Sequence, residues 1–229
     1  MLWACAVLAM VSVIGANLWR DRAGAANHAR GGGGGTGDVD VDVTAETAAA
    51  AAADDQPLRL AKEIPPFSLV DQNNQPVTLE SLKGKPFIAN FVFTNCAGPC
   101  PVMTAKMAKL QQSVPADVKL VSFSVDPARD RPDVLKKYAA NFNADDGRWH
   151  FLTVADPKDV DGMYTLSRAM LLAATPAQDD RPVIHSEKFV LADVNGTIRS
   201  YYSSGSAKQM TQLVTDAKDL LEARESSKE

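Results

Sequence analysis

The chain predicts an α/β domain preceded by an apolar N-terminal segment and a low-complexity linker. Three observations carry this reading. Short apolar runs alternate along the second two thirds of the chain with segments of helical periodicity. Hydrophobic residues make up 45% of 229 residues, enough for one sizeable core and cramped for two. Asn195-Gly196, between the last two apolar runs, is the dipeptide of a tight hairpin turn.

Residues 1–22 read as a membrane anchor or signal segment. Leu2 to Leu18 is almost wholly apolar, roughly the shortest length that spans a bilayer, and no small-residue cleavage site follows it, which favours an uncleaved anchor. Arg20 and Arg22 lie after the apolar run rather than before it, so the charges leave its orientation open. Cys5 sits within the run and reads as a residue of an apolar helix rather than a lipid attachment point. Residues 23–57 hold five consecutive glycines (Gly31 to Gly35), then D-V-D-V-D-V and an alanine run, a composition that cannot bury a core and serves as a tether. His28 falls there and reads as a solvated side chain.

The folded part is expected at 58–225. Strands are predicted at Pro66–Val70, Phe87–Phe93, Val118–Val125, Trp149–Val154, Lys188–Val194 and Thr197–Tyr202. Helices are predicted at Met103–Gln112, Pro132–Phe142, Pro157–Arg168 and Lys208–Leu221. Asp71 to Gln75 reads as the turn of a short hairpin before the first long strand. Met103, Met107, Met163 and Met170 fall on core-facing helix stripes, and Trp149 and Phe151 read as packing residues. A net charge of -4 without a basic cluster argues against a nucleic-acid partner.

The chemistry concentrates in F-V-F-T-N-C-A-G-P-C-P, Phe91 to Pro101. Two of the chain's 3 Cys lie here, at a predicted strand-to-helix junction, with Pro101 suited to the helix's first turn. Helix-end N–H groups stabilise a thiolate, the form that attacks disulfides and binds soft metals. A purely structural bridge across so short a loop would gain little chain entropy, which favours reactive use. The Cys-x-x-x-Cys spacing is one residue wider than the thioredoxin redox spacing; it can close a disulfide and also leaves room for an ion. Two sulfurs are too few for a closed zinc site, so a metal would need a third ligand. His150 and His185 are the candidates. His150 lies inside a strand pattern and reads as a strand histidine; His185 precedes a strand after the irregular stretch Ala173 to Pro182, though a lone histidine is often structural. In a thioredoxin-like topology the loop before that strand approaches the Cys loop. Two Cys and one His suit Cu(I) and can also hold Cu(II).

The folded part resembles the Sco/SenC family. The residues carrying the resemblance are T-N-C-A-G-P-C-P (Thr94 to Pro101), S-V-D-P-A-R-D (Ser124 to Asp130) followed by R-P-D-V-L, and H-S-E-K-F-V-L-A-D-V-N-G (His185 to Gly196). They span most of the chain from about Ile64 onward. The resemblance implies a thioredoxin-like fold with a central mixed sheet flanked by helices, and a copper site made by Cys96, Cys100 and His185, with the cysteines as a redox-active pair. It also implies a role in assembling the copper centre of respiratory cytochrome c oxidase, with oxidase subunit II, another copper chaperone or a thiol reductase as partner. An anchor in the bacterial inner membrane with the domain facing the periplasm goes with that role, ahead of a mitochondrial location. Asp126 matches an acidic position of the family near the site; its bland reading is a strand-end cap before Pro127. Asp130 is expected at the surface. Many members carry an acidic residue between the cysteines, where this chain has Ala97, Gly98 and Pro99, and Asp before the histidine, where it has Ile184. The rival reading is a metal-free thiol-disulfide oxidoreductase; a sensor acting by binding alone is a third. A peroxidase lacks its P-x-x-x-T-x-x-C pattern here.

Overall fold

A computed structural model of the protein describes residues 55–170 and 186–226. The expectations for the anchor at 1–22 and nearly all of the linker at 23–57 lie outside the described residues, as does His185. No described helix is long and apolar enough to cross a membrane.

The strands are β1 (Leu58–Glu63), β2 (Ser68–Val70), β3 (Pro76–Thr78), β4 (Phe87–Val92), β5 (Lys119–Ser124), β6 (Trp149–Leu152), β7 (Lys188–Ala192) and β8 (Thr197–Ser203). The helices are α1 (Leu79–Leu82), α2 (Pro99–Ser113), α3 (Pro132–Ala140), α4 (Val160–Met170) and α5 (Ala207–Ser226). Six strands form one sheet in the order β1-β8-β7-β4-β5-β6; β2 and β3 make a separate hairpin. β4, β5 and β6 are parallel neighbours, and the other pairs in the sheet are antiparallel. The α/β class is as the alternation of patterns predicts, and the mixed sheet is as the family resemblance implies.

β4 explains why the sheet is centred where it is. All its residues are buried, as expected of a strand covered on both faces, where an apolar run replaces polar alternation. Side chains still alternate in direction. Phe87, Ala89 and Phe91 join Val121, Phe123 and Val190 under Met163, Leu166 and Met170 of α4. Ile88 joins Leu120, Trp149, Phe151 and Phe189 on the other face, under Met103 and Met107 of α2, Leu135 of α3 and Leu213 of α5. All four methionines singled out in the sequence are therefore core residues, as are Trp149 and Phe151. Each such burial stabilises by about 1.5–3 kcal/mol relative to exposure.

The two turns foreseen in the sequence are built alike. Asp71 Oδ1 accepts the backbone N–H groups of Asn73 and Gln75, both at 2.9 Å, and Asp193 Oδ1 accepts those of Asn195 (2.9 Å) and Thr197 (3.0 Å). Gly196 has φ +79°, and a Cβ there would stand 2.9 Å from Leu79 Cδ1, so glycine answers both the backbone and the packing. The β2–β3 hairpin docks on β6: Gln72 Nε2 donates to Trp149 O at 3.0 Å and its Oε1 accepts Phe151 N–H at 2.8 Å. His150 Nδ1 lies 3.3 Å from Asp71 Oδ2, a strand histidine paired to the hairpin.

Several elements differ from expectation, among them the short helix α1, which was not foreseen, and α2, which begins at Pro99 rather than Met103. β1, paired to β8 at the sheet's edge, was not expected, since its side chains are nearly all exposed and leave no apolar signature. Helix α4 begins at Val160 rather than Pro157.

Candidate functional site: a dithiol at the end of the central strand

β4 and β5 run in register, Phe91 opposite Phe123 and Val92 opposite Ser124, so the loops that follow them leave from the same end of the sheet. In open α/β sheets, ligands bind at such carboxyl ends. The loop after β4 carries Cys96 and leads into α2, whose first turn holds Pro99, Cys100 and Pro101. Gly98 is the N-cap and offers no side-chain acceptor. The Cys96 sulfur lies close by, about 4.0 Å from where a Cβ on Gly98 would stand, and the N–H groups of Cys100 and Gly98 and the Cys100 thiol favour its thiolate.

The two thiols are thereby made unequal. Burial pushes the Cys96 thiol up, but the Cys100 and Gly98 N–H groups and the Cys100 S–H outweigh it, leaving Cys96 below the ordinary thiol value. For Cys100, burial dominates; the Phe93 backbone opposes it, and the Cys96 sulfur and the Asp130 charge add to it, so the thiol is pushed up to about 12. Both are free cysteines, 9% and 5% exposed.

Asp130 holds the loop from beneath. Contrary to the surface position expected for it, its residue is fully buried. Its carboxylate accepts Thr94 N–H (3.1 Å), Thr94 Oγ1 (2.5 Å) and Ser124 Oγ (2.6 Å), tying the start of the Cys loop to the end of β5. Burial raises its pKa despite the hydrogen bonds of Ser124 and Thr94, and the neighbouring Asp126 charge adds to the rise. Asp126 is a step further out: its carboxylate takes Arg129 Nη1 at 2.9 Å, and its carbonyl accepts Asp130 N–H at 2.9 Å. Thus Asp126 shapes the turn that delivers Asp130. The sequence reading singled out Asp126 and passed over Asp130, since a carboxylate in a polar run reads as solvated and its partner Thr94 lies 36 residues away.

On the helix side, Thr104 Oγ1 donates to Cys100 O at 2.9 Å and lies 2.9 Å from Tyr138 OH, so the first turn of α2 is braced by α3. A crevice of about 10 Å³, room for a single water at most, lies against Cys100 between Phe93, Met103 and Val125, and Ser186 and Glu187 close it. The chain returning to β7 therefore reaches the dithiol one residue after His185. Among the described residues, no group of three His, Cys, Asp or Glu side chains stands ready for a metal; the described donors are the two sulfurs.

A mixed sheet flanked by helices, with a cysteine pair where its central parallel strand passes into a helix, defines a thioredoxin-like dithiol protein. The chain belongs to the SCO1/SenC family, whose model matches residues 55–222. It is 36% identical over 159 residues to the SCO1 protein homolog of Bacillus subtilis, covering 68% of this chain and 81% of that protein. The structure of BsSco, a member of the Sco family of cytochrome c oxidase assembly proteins with an identified disulfide switch, superposes with a TM-score of 0.60 at 35% identity, covering 70% of this chain and 94% of that one. Copper-bound ScoI of Bradyrhizobium japonicum superposes with a TM-score of 0.55 at 28% identity, covering 69% and 99%.

The inequality of the thiols has a direct readout. Under limiting iodoacetamide near neutral pH, Cys96 should carry most of the label and Cys100 little, by peptide mapping. Because the folded value of Cys96 is lowered, its rate should climb to its plateau below the pH at which an ordinary thiol, about 8.5, would do so. Equal labelling of both sulfurs would contradict the inequality of the two thiols.

Proposed function

We propose that the protein is a copper metallochaperone for assembly of the copper centre of respiratory cytochrome c oxidase, with Cys96, Cys100 and His185 as the copper ligands. The observation that carries the reading is the free, unequal dithiol at the carboxyl end of β4, in a family with copper-bound members and members named for oxidase assembly. Two thiolates suit Cu(I) by softness, and an imidazole extends the set to Cu(II). Support for His185 is positional: Ser186 and Glu187, next in the chain, line the crevice beside Cys100.

Copper is cargo, and the chain's own groups set how it is taken and released. Cys96 presents a sulfur already held by N–H donors, while Cys100 must give up its proton as the ion binds. Delivery proceeds by ligand exchange with thiolates and imidazoles of the acceptor, for which oxidase subunit II is the proposed partner. Residues 1–22 are proposed as an inner-membrane anchor, 23–57 as the tether and 58–225 as the domain, facing the periplasm.

The inequality of the thiols also favours a second reading, a metal-free thiol-disulfide oxidoreductase. The Cys96 thiolate attacks a partner disulfide and forms a mixed disulfide, and one partner sulfur leaves as thiolate. Cys100, after losing its proton, attacks the Cys96 sulfur; the second partner sulfur leaves, and the partner dithiol is reduced while the Cys96–Cys100 disulfide forms.

Copper titration of the reduced protein separates the readings. One tightly held copper per chain, with sulfur-to-copper charge transfer in the Cu(II) form, is expected for the wild type. In His185→Ala, affinity should fall by more than about 10- to 100-fold, the cost of losing even an outer-shell partner of a metal site, with disulfide exchange intact. Weak binding indifferent to His185→Ala would exclude the carrier and leave the oxidoreductase.

A further inference from the structure

Helix α2 has a second exposed stretch that the dithiol chemistry does not use. Val102, Lys106, Lys109 and Ser113 follow one another at spacings of four, three and four residues, which places them on one side of the helix. Val102, 55% exposed, stands in the same turn as the cysteine helix start. Lys106 lies about 6 Å further along the axis. From there the stripe forms one wall of an open groove of about 450 Å³ between α2 and α5. Leu110, Met210 and Val214 supply its apolar lining and Thr211 part of the opposite wall. Lys106 Nζ donates to Ser204 O, which fixes the ammonium at the groove while leaving it two further donors. The groove's lining contains two lysines and no acidic side chain, in a chain whose net charge is -4.

We propose that this groove is the docking site for an acidic, apolar-faced segment of the protein that exchanges copper or thiols at Cys96. The proposal rests on the chaperone reading for the partner's identity. Three features select such an occupant. The wall carries two ammonium groups and no carboxylate, so an acidic segment gains attraction here. The site is concave and apolar between two helices, the shape that accepts the ridge of an amphipathic segment. The stripe runs continuously into the first turn of α2, so a segment seated in the groove holds the rest of its protein over the sulfurs. Two lysines in a concavity are too few and too recessed for a membrane-binding patch, which needs roughly 4–8 basic residues on a flat face. A second copy placing the same face here would set lysine against lysine.

The test measures binding of the full chain, copper-loaded, to the purified copper domain of oxidase subunit II from the same organism at low and moderate salt. Lys106→Glu with Lys109→Glu should weaken binding at least about tenfold and remove most of its salt dependence. Lys106→Arg with Lys109→Arg should stay within about threefold of wild type, and copper affinity of the isolated protein should be unchanged in both. Equal binding by wild type and the Glu variant would overturn the proposal. So would a Glu-sensitive self-association seen on dilution, or Glu-sensitive binding to phosphatidylglycerol vesicles with subunit binding unaffected. No binding of the wild type to the subunit domain also overturns it, and the copper titration above then tells whether the chaperone reading falls too.

Discussion

Cys100→Ser should lower the affinity of the reduced protein for Cu(I) by about a thousandfold or more, some 4 kcal/mol, and should flatten its dependence on pH. Serine is a hard oxygen donor and a poor exchange for a thiolate on a soft ion. The pH dependence follows from the value of about 12 for the Cys100 thiol. Far below that value Cys100 is protonated, so each copper captured by both sulfurs expels a proton from it. Affinity should therefore rise about tenfold per pH unit from this proton alone between roughly pH 6.5 and 8.5. Competition against a Cu(I) chelator at several pH values reads both effects. A variant within tenfold of wild type, with an unchanged pH slope, would remove Cys100 from the ligand set. Circular dichroism would show that the serine protein is folded.

Asp130→Ala should be the most destabilising single change near the site, about 3 kcal/mol in urea unfolding of the reduced protein. It deprives the Thr94 N–H, the Thr94 hydroxyl and the buried Ser124 hydroxyl of their acceptor and leaves a void where a fully buried side chain stood. Asp130→Asn keeps the shape and removes the charge, which isolates the electrostatic part. The folded pKa of Asp130 is raised by burial. As the pH falls, the native state therefore binds a proton before the unfolded chain does, and the penalty of a buried charge is relieved. Wild type should thus gain stability relative to Asp130→Asn as the pH drops from neutral through the raised value to about 3.9, the unfolded reference. A stability difference independent of pH would mean that Asp130 keeps the same affinity for protons in both states. An alanine variant as stable as wild type would show that the Cys loop does not depend on this carboxylate.

Much of the architecture was legible because burial writes itself into residue type. Phe87–Val92 and Lys119–Ser124 are enclosed on both faces and so read as apolar runs. The turns at Asp71 and Asn195-Gly196 were visible because their geometry demands particular residues. β1 was not legible: it holds its place through backbone pairing with β8, and Leu58 and Leu60 remain 46% and 41% exposed. The site divides along the same line. Cys96 and Cys100 announce themselves by type and spacing. The different reactivity of the two sulfurs arises from N–H groups and burial, which spacing does not encode. Asp130 was misread because its partner Thr94 lies 36 residues away, and a carboxylate followed by arginine and proline looks solvated until the fold brings that amide to it.

Gln72 carries a consequence for life at high local concentration. A sheet's last strand offers unpaired amides and carbonyls to any other strand that arrives, and β6 is such a strand. The Gln72 carboxamide fills the role of a neighbouring peptide unit for Phe151 and Trp149, and Val70 and Thr153 exchange backbone hydrogen bonds beside it. A side chain thus occupies the seam along which two molecules would otherwise zip together. With this margin sealed, strand addition is blocked on the β6 side of the sheet, and β1, at the far side, is the edge left for another strand to meet.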